Sequence, residues 1–79
     1  MKITEKELKK LIAKALNVKE SQIKDNLKHG DIEEWDSLGH LSIISSLDKK
    51  FKNNINVSKL NNIDSYSKIK DFLKKNSIM

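Results

Sequence analysis

Several residue types that often define the class of a small protein are absent from this chain or scarce in it. Cysteine, proline and arginine do not occur among its 79 residues, and aromatic residues make up 5%. Without cysteine, the chain cannot be a disulfide-stabilised secreted domain or a Cys-ligated zinc module, and it cannot supply a thiol nucleophile. No apolar run approaches the roughly 20 residues needed to span a bilayer, and the first residues are too charged for a signal peptide. We therefore expect a cytoplasmic protein with one domain, residues 1–79.

The charge is basic overall and unevenly distributed. All 16 positive residues are lysines, and the formal net charge is +5. Residues 1–20 carry +3, residues 21–48 carry −4 and residues 49–79 carry +6. Proteins that bind nucleic acid favour arginine for bidentate contacts to phosphates and bases. We therefore expect no nucleic-acid partner, and we expect the central segment to function in a negative field.

The N-terminal segment carries the clearest helix pattern. Thr4 and Glu7 have the S/T-x-x-E spacing of a capping box. The apolar residues that follow at helical spacing are Leu8, Leu11, Ile12, Ala15 and Leu16. This pattern predicts a helix from Thr4 to Leu16 that ends near Asn17.

Residues 17–36 show no regular period and predict a loop that is long for so small a domain. Its scattered apolar residues, which can anchor it on the core, are Val18, Ile23, Leu27 and Ile32. Gly30 permits a turn within the loop.

The second half of the chain predicts two more helices and a short one. Asp36 and Ser37 form a pair of favoured N-cap residues, and Asn53 and Asn54 suit the end of that helix. Its expected apolar stripe consists of Leu38, Leu41, Ile44, Leu47 and Phe51, with Ile43 on the flank.

Residues 57–63 can hold one short helical turn, and Asp64 or Ser65 can cap the last helix. The apolar stripe of that helix consists of Tyr66, Ile69, Phe72 and Leu73. No segment alternates convincingly with a period of two. The predicted fold is therefore all-α, a small four-helix bundle with three main helices, one short helix and a long first loop.

Ser37 lies at the predicted start of the second main helix. A serine in that place most often serves only as an N-cap, and losing such a cap costs about 0.5–2 kcal/mol. The unpaired N–H groups and the dipole of a helix N-terminus also favour an anion. A phosphodiester on the Ser37 hydroxyl would gain about 0.3–1 kcal/mol there, and Leu38 and Leu41 would form an apolar rim beside it.

The residues around Ser37 form a longer motif. The chain reads Trp35-Asp36-Ser37-Leu38-Gly39-His40-Leu41, followed by Ile44, Leu47, Asp48 and Phe51. This run resembles the D-S-L-x-x-x-L pattern of the acyl carrier protein family, in which an apolar helix ends in an acidic residue and Phe. The resemblance covers nearly the whole chain, because the order of the helices and the long first loop also match.

The resemblance implies a carrier function. Ser37 would receive 4′-phosphopantetheine from coenzyme A through a phosphopantetheinyl transferase, and acyl groups would be carried on its thiol as thioesters. Acyl-activating or acyl-transferring enzymes would act on this cargo. The carrier itself, a monomer without catalytic or metal-binding residues, would catalyse nothing.

Two neighbours of Ser37 acquire roles from the same resemblance. Asp36 would help to orient the transferase or its metal, and Leu38 would pack at the transferase interface. Each also has a purely structural interpretation, because Asp36 can complement the helix N-terminus and Leu38 can belong to the core.

The chain departs from the family members that serve fatty acid synthesis, whose second helix usually presents carboxylates. Here that helix offers Asp48 alone, with Ser42, Ser45 and Ser46 at positions expected to be exposed and three lysines near its end. Trp35 stands where a small residue is common, and it can simply cover the core. These departures favour a dedicated carrier for a specialised pathway, and D-S-L rather than G-G-H-S argues against a peptidyl carrier domain.

Other functions fit the sequence less well. A Ser-His hydrolase is disfavoured, because adjacent Asp36 and Ser37 cannot easily bracket His40 and no G-x-S-x-G elbow occurs. We expect His40 to be a surface or interface residue beside Ser37. Residues 25–36 match a calcium loop poorly, and His29 and His40 without cysteine do not make a transition-metal site. The alternative that stays open is a small basic helical module that binds nucleic acid or another protein.

Overall fold

The computed structural model describes residues 3–51 and 57–79. In this part of the chain the main elements are the helices α1 (Glu5–Leu16), α2 (Ser37–Lys50) and α3 (Tyr66–Lys75). Two short 3₁₀-helices, Glu20–Gln22 and Val57–Asn62, lie between them. The described residues contain no β-strand, and the bridge between Lys28 and Ser65 is isolated. The all-α class is therefore confirmed.

Helix α1 begins and ends as the sequence predicts. The Thr4 hydroxyl accepts a hydrogen bond from the Glu7 backbone N–H, and the Glu7 carboxylate accepts one from the Thr4 N–H, both at 3.2 Å. Asn17 ends the helix in the left-handed conformation, with φ 59°. The buried residues of α1 are Leu8, Ile12, Ala13 and Leu16.

Helix α2 presents a different face to the core from the one expected. Ile44 is partly buried, and Leu47 and Phe51 are buried as predicted, but Leu38 and Leu41 are 74% and 57% exposed. The residues of α2 and its C-cap that face the core recur every four positions, at Gly39, Ile43, Leu47 and Phe51. Because a three-residue spacing drifts away from that line, the first two leucines of the predicted stripe reach the surface. Leu38 is therefore not a core residue.

The last turn of α2 carries the lysines that the sequence places there. The helix ends at Lys50 with Phe51 as its C-cap, and Lys49 and Lys50 lie in its last turn as expected. The predicted stop at Asn53 and Asn54 lies outside the described residues.

The C-terminal elements agree with the sequence pattern. The expected short helix is the 3₁₀-helix Val57–Asn62, and Ser65 rather than Asp64 caps α3 by accepting the Lys68 N–H at 3.2 Å. Tyr66, Ile69 and Leu73 are buried and Phe72 is partly buried.

The long first loop is packed down rather than loose. Ile23 and Leu27 are buried, Val18 and Ile32 are partly buried, and the unpredicted 3₁₀-helix Glu20–Gln22 shortens the irregular part. Backbone hydrogen bonds from Tyr66 N–H to the Leu27 carbonyl (3.0 Å) and from His29 N–H to the Asp64 carbonyl (2.7 Å) tie the loop to the start of α3. Gly30 turns the chain with φ 92°.

One apolar core joins all these elements. Helices α1 and α2 run antiparallel, because Leu16 at the end of α1 lies against Gly39 while Glu7 near its start faces Lys50. Trp35 inserts from the loop and is fully buried within the core. The radius of gyration is 11.2 Å, close to the ~12 Å expected for a compact chain of this length. Among the described helices, none has the length and apolar character needed to cross a bilayer.

Candidate functional site

Ser37 is exposed at the first residue of α2, and it is not the cap. The Asp36 carboxylate oxygen Oδ1 accepts a hydrogen bond from the backbone N–H of Gly39 at 2.8 Å. The backbone of Asp36 is extended, as is usual for an N-cap residue. The expectation that Ser37 caps the helix is therefore corrected, because the residue before it occupies that position. The Ser37 hydroxyl is left at the surface without a capping role.

Gly39 determines how closely the start of α2 approaches the rest of the molecule. A Cβ at this position would overlap the Glu34 carbonyl oxygen and lie 2.8 Å from Leu16 Cδ2. Only glycine allows the first turn of α2 to sit against both the loop and the end of α1. Sequence reasoning missed this role; the one available signal was a glycine inside a helical pattern.

A hydrogen-bonded chain holds the side of α2 next to Ser37. The indole Nε1–H of Trp35 donates to His40 Nδ1 at 3.2 Å, and His40 Nε2 lies 3.0 Å from the Leu60 carbonyl oxygen. Because an indole can only donate, Nδ1 is the acceptor, so Nε2 carries the proton and donates to Leu60. His40 is therefore a link between the loop, α2 and the 3₁₀-helix Val57–Asn62, and it is half-buried rather than fully on the surface.

This link leaves His40 without a free nitrogen to activate the Ser37 hydroxyl. Both ring nitrogens are engaged, one with Trp35 and the other with Leu60. A serine nucleophile needs a base that can accept its proton. The described geometry thus gives no support to a Ser-His hydrolase.

A pocket of about 360 Å³ opens beside Ser37. Its lining comes from the end of the loop, the first turns of α2 and the segment before α3, and it consists of His29, Ser37, His40, Leu41, Asn61, Asn62, Ile63 and Asp64. The ring of His29 stacks on that of His40 with 5.6 Å between centroids. At the rim, the hydrogen bond and charge of Lys68 lower the pKa of Asp64, so Asp64 remains ionised near neutral pH.

The surface around Ser37 combines apolar and acidic side chains. Leu38 and Leu41 are the large exposed hydrophobic residues of the described chain. Glu33, Glu34 and Asp36 are exposed just before the serine. The structure therefore places the predicted site residues Asp36, Ser37 and Leu38 together on the surface. Among the described residues, no group of three or more His, Asp or Glu side chains could hold a metal ion.

Comparisons with known proteins add no relative. No protein-family model matches the chain. No curated protein and no solved structure matches it either. The function must therefore be inferred from the residues and geometry of the chain itself.

Proposed function

We propose that the protein is an acyl carrier that bears 4′-phosphopantetheine on Ser37. The observation that carries this proposal is the exposed Ser37 hydroxyl at the first position of α2, with the capping role taken by Asp36. Because Ser37 is not needed for the cap, its hydroxyl is available for modification. The two exposed leucines and the pocket beside it form a surface suited to docking.

The residues present fit the phosphate end of the proposed group. The first N–H groups of a helix have no intrahelical partner, and Asp36 occupies only that of Gly39. A phosphodiester on Ser37 would lie next to these donors and at the positive end of the helix dipole. The lining side chains Asn61 and Asn62 offer polar contacts beside the point of attachment.

The attachment step is a simple substitution at phosphorus. The Ser37 Oγ attacks the pyrophosphate of coenzyme A and forms an O–P bond, adenosine 3′,5′-bisphosphate leaves, and a base of the transferase accepts the hydroxyl proton. When bound, 4′-phosphopantetheine supplies the thiol that this Cys-free chain lacks. The chain itself contributes the position of the hydroxyl, which Gly39, Trp35 and His40 hold at the surface.

The neighbours of Ser37 take the roles that such a carrier needs. Leu38 offers an apolar contact to the transferase, because a large side chain that is 74% exposed suits a partner surface. Asp36 brings a carboxylate next to the hydroxyl that reacts. In this proposal the 3₁₀-helix Val57–Asn62 is the short member of a four-helix carrier bundle. The protein works as a cytoplasmic monomer that serves acyl-activating or acyl-transferring enzymes of a specialised pathway.

Mass spectrometry tests the proposal directly. The wild-type chain is mixed with coenzyme A and several phosphopantetheinyl transferases of broad specificity, and the intact mass is measured. We expect the wild type to gain one phosphopantetheine group, Ser37→Ala to gain none, and Ser42→Ala to behave as wild type. Ser42 is a matched control, because it is an exposed serine of the same helix.

The outcomes separate the possible errors. If wild type and Ser37→Ala stay equally unmodified with every transferase, the carrier function is wrong. If both gain the group, the chain is a carrier but Ser37 is the wrong site.

A further inference from the structure

The lysines of α1 and α2 converge on one groove. The groove, of about 650 Å³, has Leu11 and Ala15 of α1 on one side and serines of α2 on the other, with Lys14, Lys49 and Lys50 along it. A smaller depression shares Leu11, Lys14 and Lys50 and adds Lys10. We call the two depressions together the α1/α2 groove. Its four lysines are exposed.

The charge of the α1/α2 groove is only partly neutralised within the described structure. The salt bridges of residues 3–51 and 57–79 use Lys9, Lys68 and Lys70, and none of the four groove lysines. Glu7, the acidic residue of the lining, is hydrogen-bonded to Thr4 in the capping box, and the charges of Lys50 and Lys10 also help to lower its pKa. Asp48 is exposed on α2 but does not line the groove. A partner with carboxylates would therefore meet four lysines and a single carboxylate there, which is an excess of positive charge.

The groove begins beside Leu38, the residue that follows Ser37 in the chain. Leu38, Ser42 and Ser46 follow one another at four-residue spacing along α2, so the exposed leucine leads directly into the groove. With a rise of about 1.5 Å per residue, Lys50 lies about 20 Å along the helix axis from Ser37. The acidic residues that precede α2 and Ser37 therefore lie at one end of the helix, and Lys49 and Lys50 lie at the other.

We propose that the enzymes served by this carrier dock along α2 with an acidic patch against the α1/α2 groove. The acidic patch would lie about 20 Å from the entrance through which the partner receives the arm. Leu38 and Leu41 supply an apolar contact beside Ser37. The lysines set the orientation of the partner enzyme and the rate at which it meets the carrier. This inference rests on the proposed carrier function.

A charge-exchange experiment tests the docking. The probe is one broad-specificity phosphopantetheinyl transferase in two versions, whose surface facing the C-terminal half of the carrier's α2 is made either acidic or basic. Dissociation constants are measured without coenzyme A, so that docking is detected whether or not Ser37 is modified. The carriers are wild type, the groove variant Lys14→Glu/Lys49→Glu and the control variant Lys24→Glu/Lys75→Glu. The control lysines are exposed and do not line the groove.

The expected result is a reversal of preference in the groove variant alone. Wild type and control variant should bind the acidic version roughly tenfold more tightly than the basic version, and the groove variant should prefer the basic one. The neutral variant Lys14→Gln/Lys49→Gln should fall between them, which guards against an effect of misfolding in the charge-reversed protein. Salt near 1 M, where the Debye length is about 3 Å, should remove the preference.

Two results would overturn the docking proposal. The first is that wild type and groove variant prefer the same version of the transferase. The second is a wild-type carrier that binds the acidic and basic versions of the transferase equally well, but binds phosphatidylserine vesicles or a random-sequence RNA more tightly than the groove variant does. That result would assign the lysines to a membrane or a nucleic acid. The intact-mass measurement is separate, so a carrier that is loaded at Ser37 but docks without the lysines loses only this inference.

Discussion

Helices α1 and α2 pack against each other, yet they place their apolar side chains differently. Every apolar residue of α1 is buried or partly buried in the core. In α2, Leu38 and Leu41 are 74% and 57% exposed, while Ile43 and Leu47 of the same helix are buried. Leaving a leucine exposed forgoes about 1.5–3 kcal/mol of burial free energy. The apolar residues of α1 therefore all pack on the core, whereas α2 divides its apolar residues between the core and the surface beside Ser37.

This difference separates stability from recognition along the chain. Exposed leucines next to an exposed hydroxyl contribute little to folding, and they are the kind of surface that a partner covers. Substitutions of the apolar residues of α1 and of the inner face of α2 should therefore affect the free energy of unfolding, and substitutions on the outer face of α2 should affect binding instead.

The largest contrast is expected between two leucines. Leu8→Ala in α1 empties a site that is fully buried, and it should lower the free energy of unfolding by about 2–5 kcal/mol. Leu38→Ala should change it by no more than about 0.5 kcal/mol. Urea denaturation of both variants measures the difference. Equal losses in the two variants would show that α2 does not divide its leucines in this way.

The second prediction concerns the inner face of α2. Gly39→Ala should lower the free energy of unfolding by about 1–3 kcal/mol, because the new methyl group meets the Glu34 carbonyl and Leu16. Helix propensity acts in the opposite direction, since alanine is favoured over glycine by about 1 kcal/mol in a helix interior. Thermal unfolding decides the sign, with Ser42→Ala on the exposed face as the control. A stabilised Gly39→Ala variant would contradict the close approach.

The third prediction separates the two residues at the start of α2. Asp36→Ala should cost about 0.5–2 kcal/mol, because it removes the cap of the Gly39 N–H. Ser37→Ala should stay within about 0.5 kcal/mol, because its side chain has no capping role. Chemical denaturation of both variants tests this order. A larger loss of unfolding free energy for Ser37→Ala than for Asp36→Ala would show that the serine, and not Asp36, caps the helix.

The smallest effect is expected at the start of α1, as a function of pH. Hydrogen bonds from the Thr4 backbone and hydroxyl hold the pKa of Glu7 below its usual value. A pKa that is lower in the folded chain means that ionised Glu7 adds stability above its unfolded pKa, and that this contribution is lost as pH falls through the folded pKa. Glu7→Gln cannot titrate, so the stability difference between wild type and variant should shrink in acid. Urea midpoints between pH 2 and 7 measure it, and a constant difference would argue against the ionised capping box.

The sequence predicted the features of this fold that depend on neighbouring residues. These are the capping box of Thr4 and Glu7, the end of α1 at Asn17 and a cap of α3 at Asp64 or Ser65, of which the structure shows Ser65. Each involves groups within four residues of one another. It failed where an assignment depended on distant residues. The outward position of Leu38 and Leu41 follows from Gly39 lying against Leu16 and Glu34, a contact that no helical period contains.

The candidate site shows the same division. Asp36, Ser37 and Leu38 were identified from a motif, because consecutive residues at a helix start must lie together. The cap could not be assigned between Asp36 and Ser37 from the sequence, since both are favoured cap residues. The buried link from Trp35 through His40 to Leu60 was missed, because its last step joins residues twenty positions apart.

The sequence by itself determined the three main helices, the capping box of α1 and the serine on which the proposed function rests, because these depend on local hydrogen bonds and on the order of residue types. Only the tertiary structure decided which face of α2 enters the core and that the lysines of α1 and α2 share one groove. Those outcomes depend on how two helices approach each other, and that approach is set by packing between residues far apart in the chain.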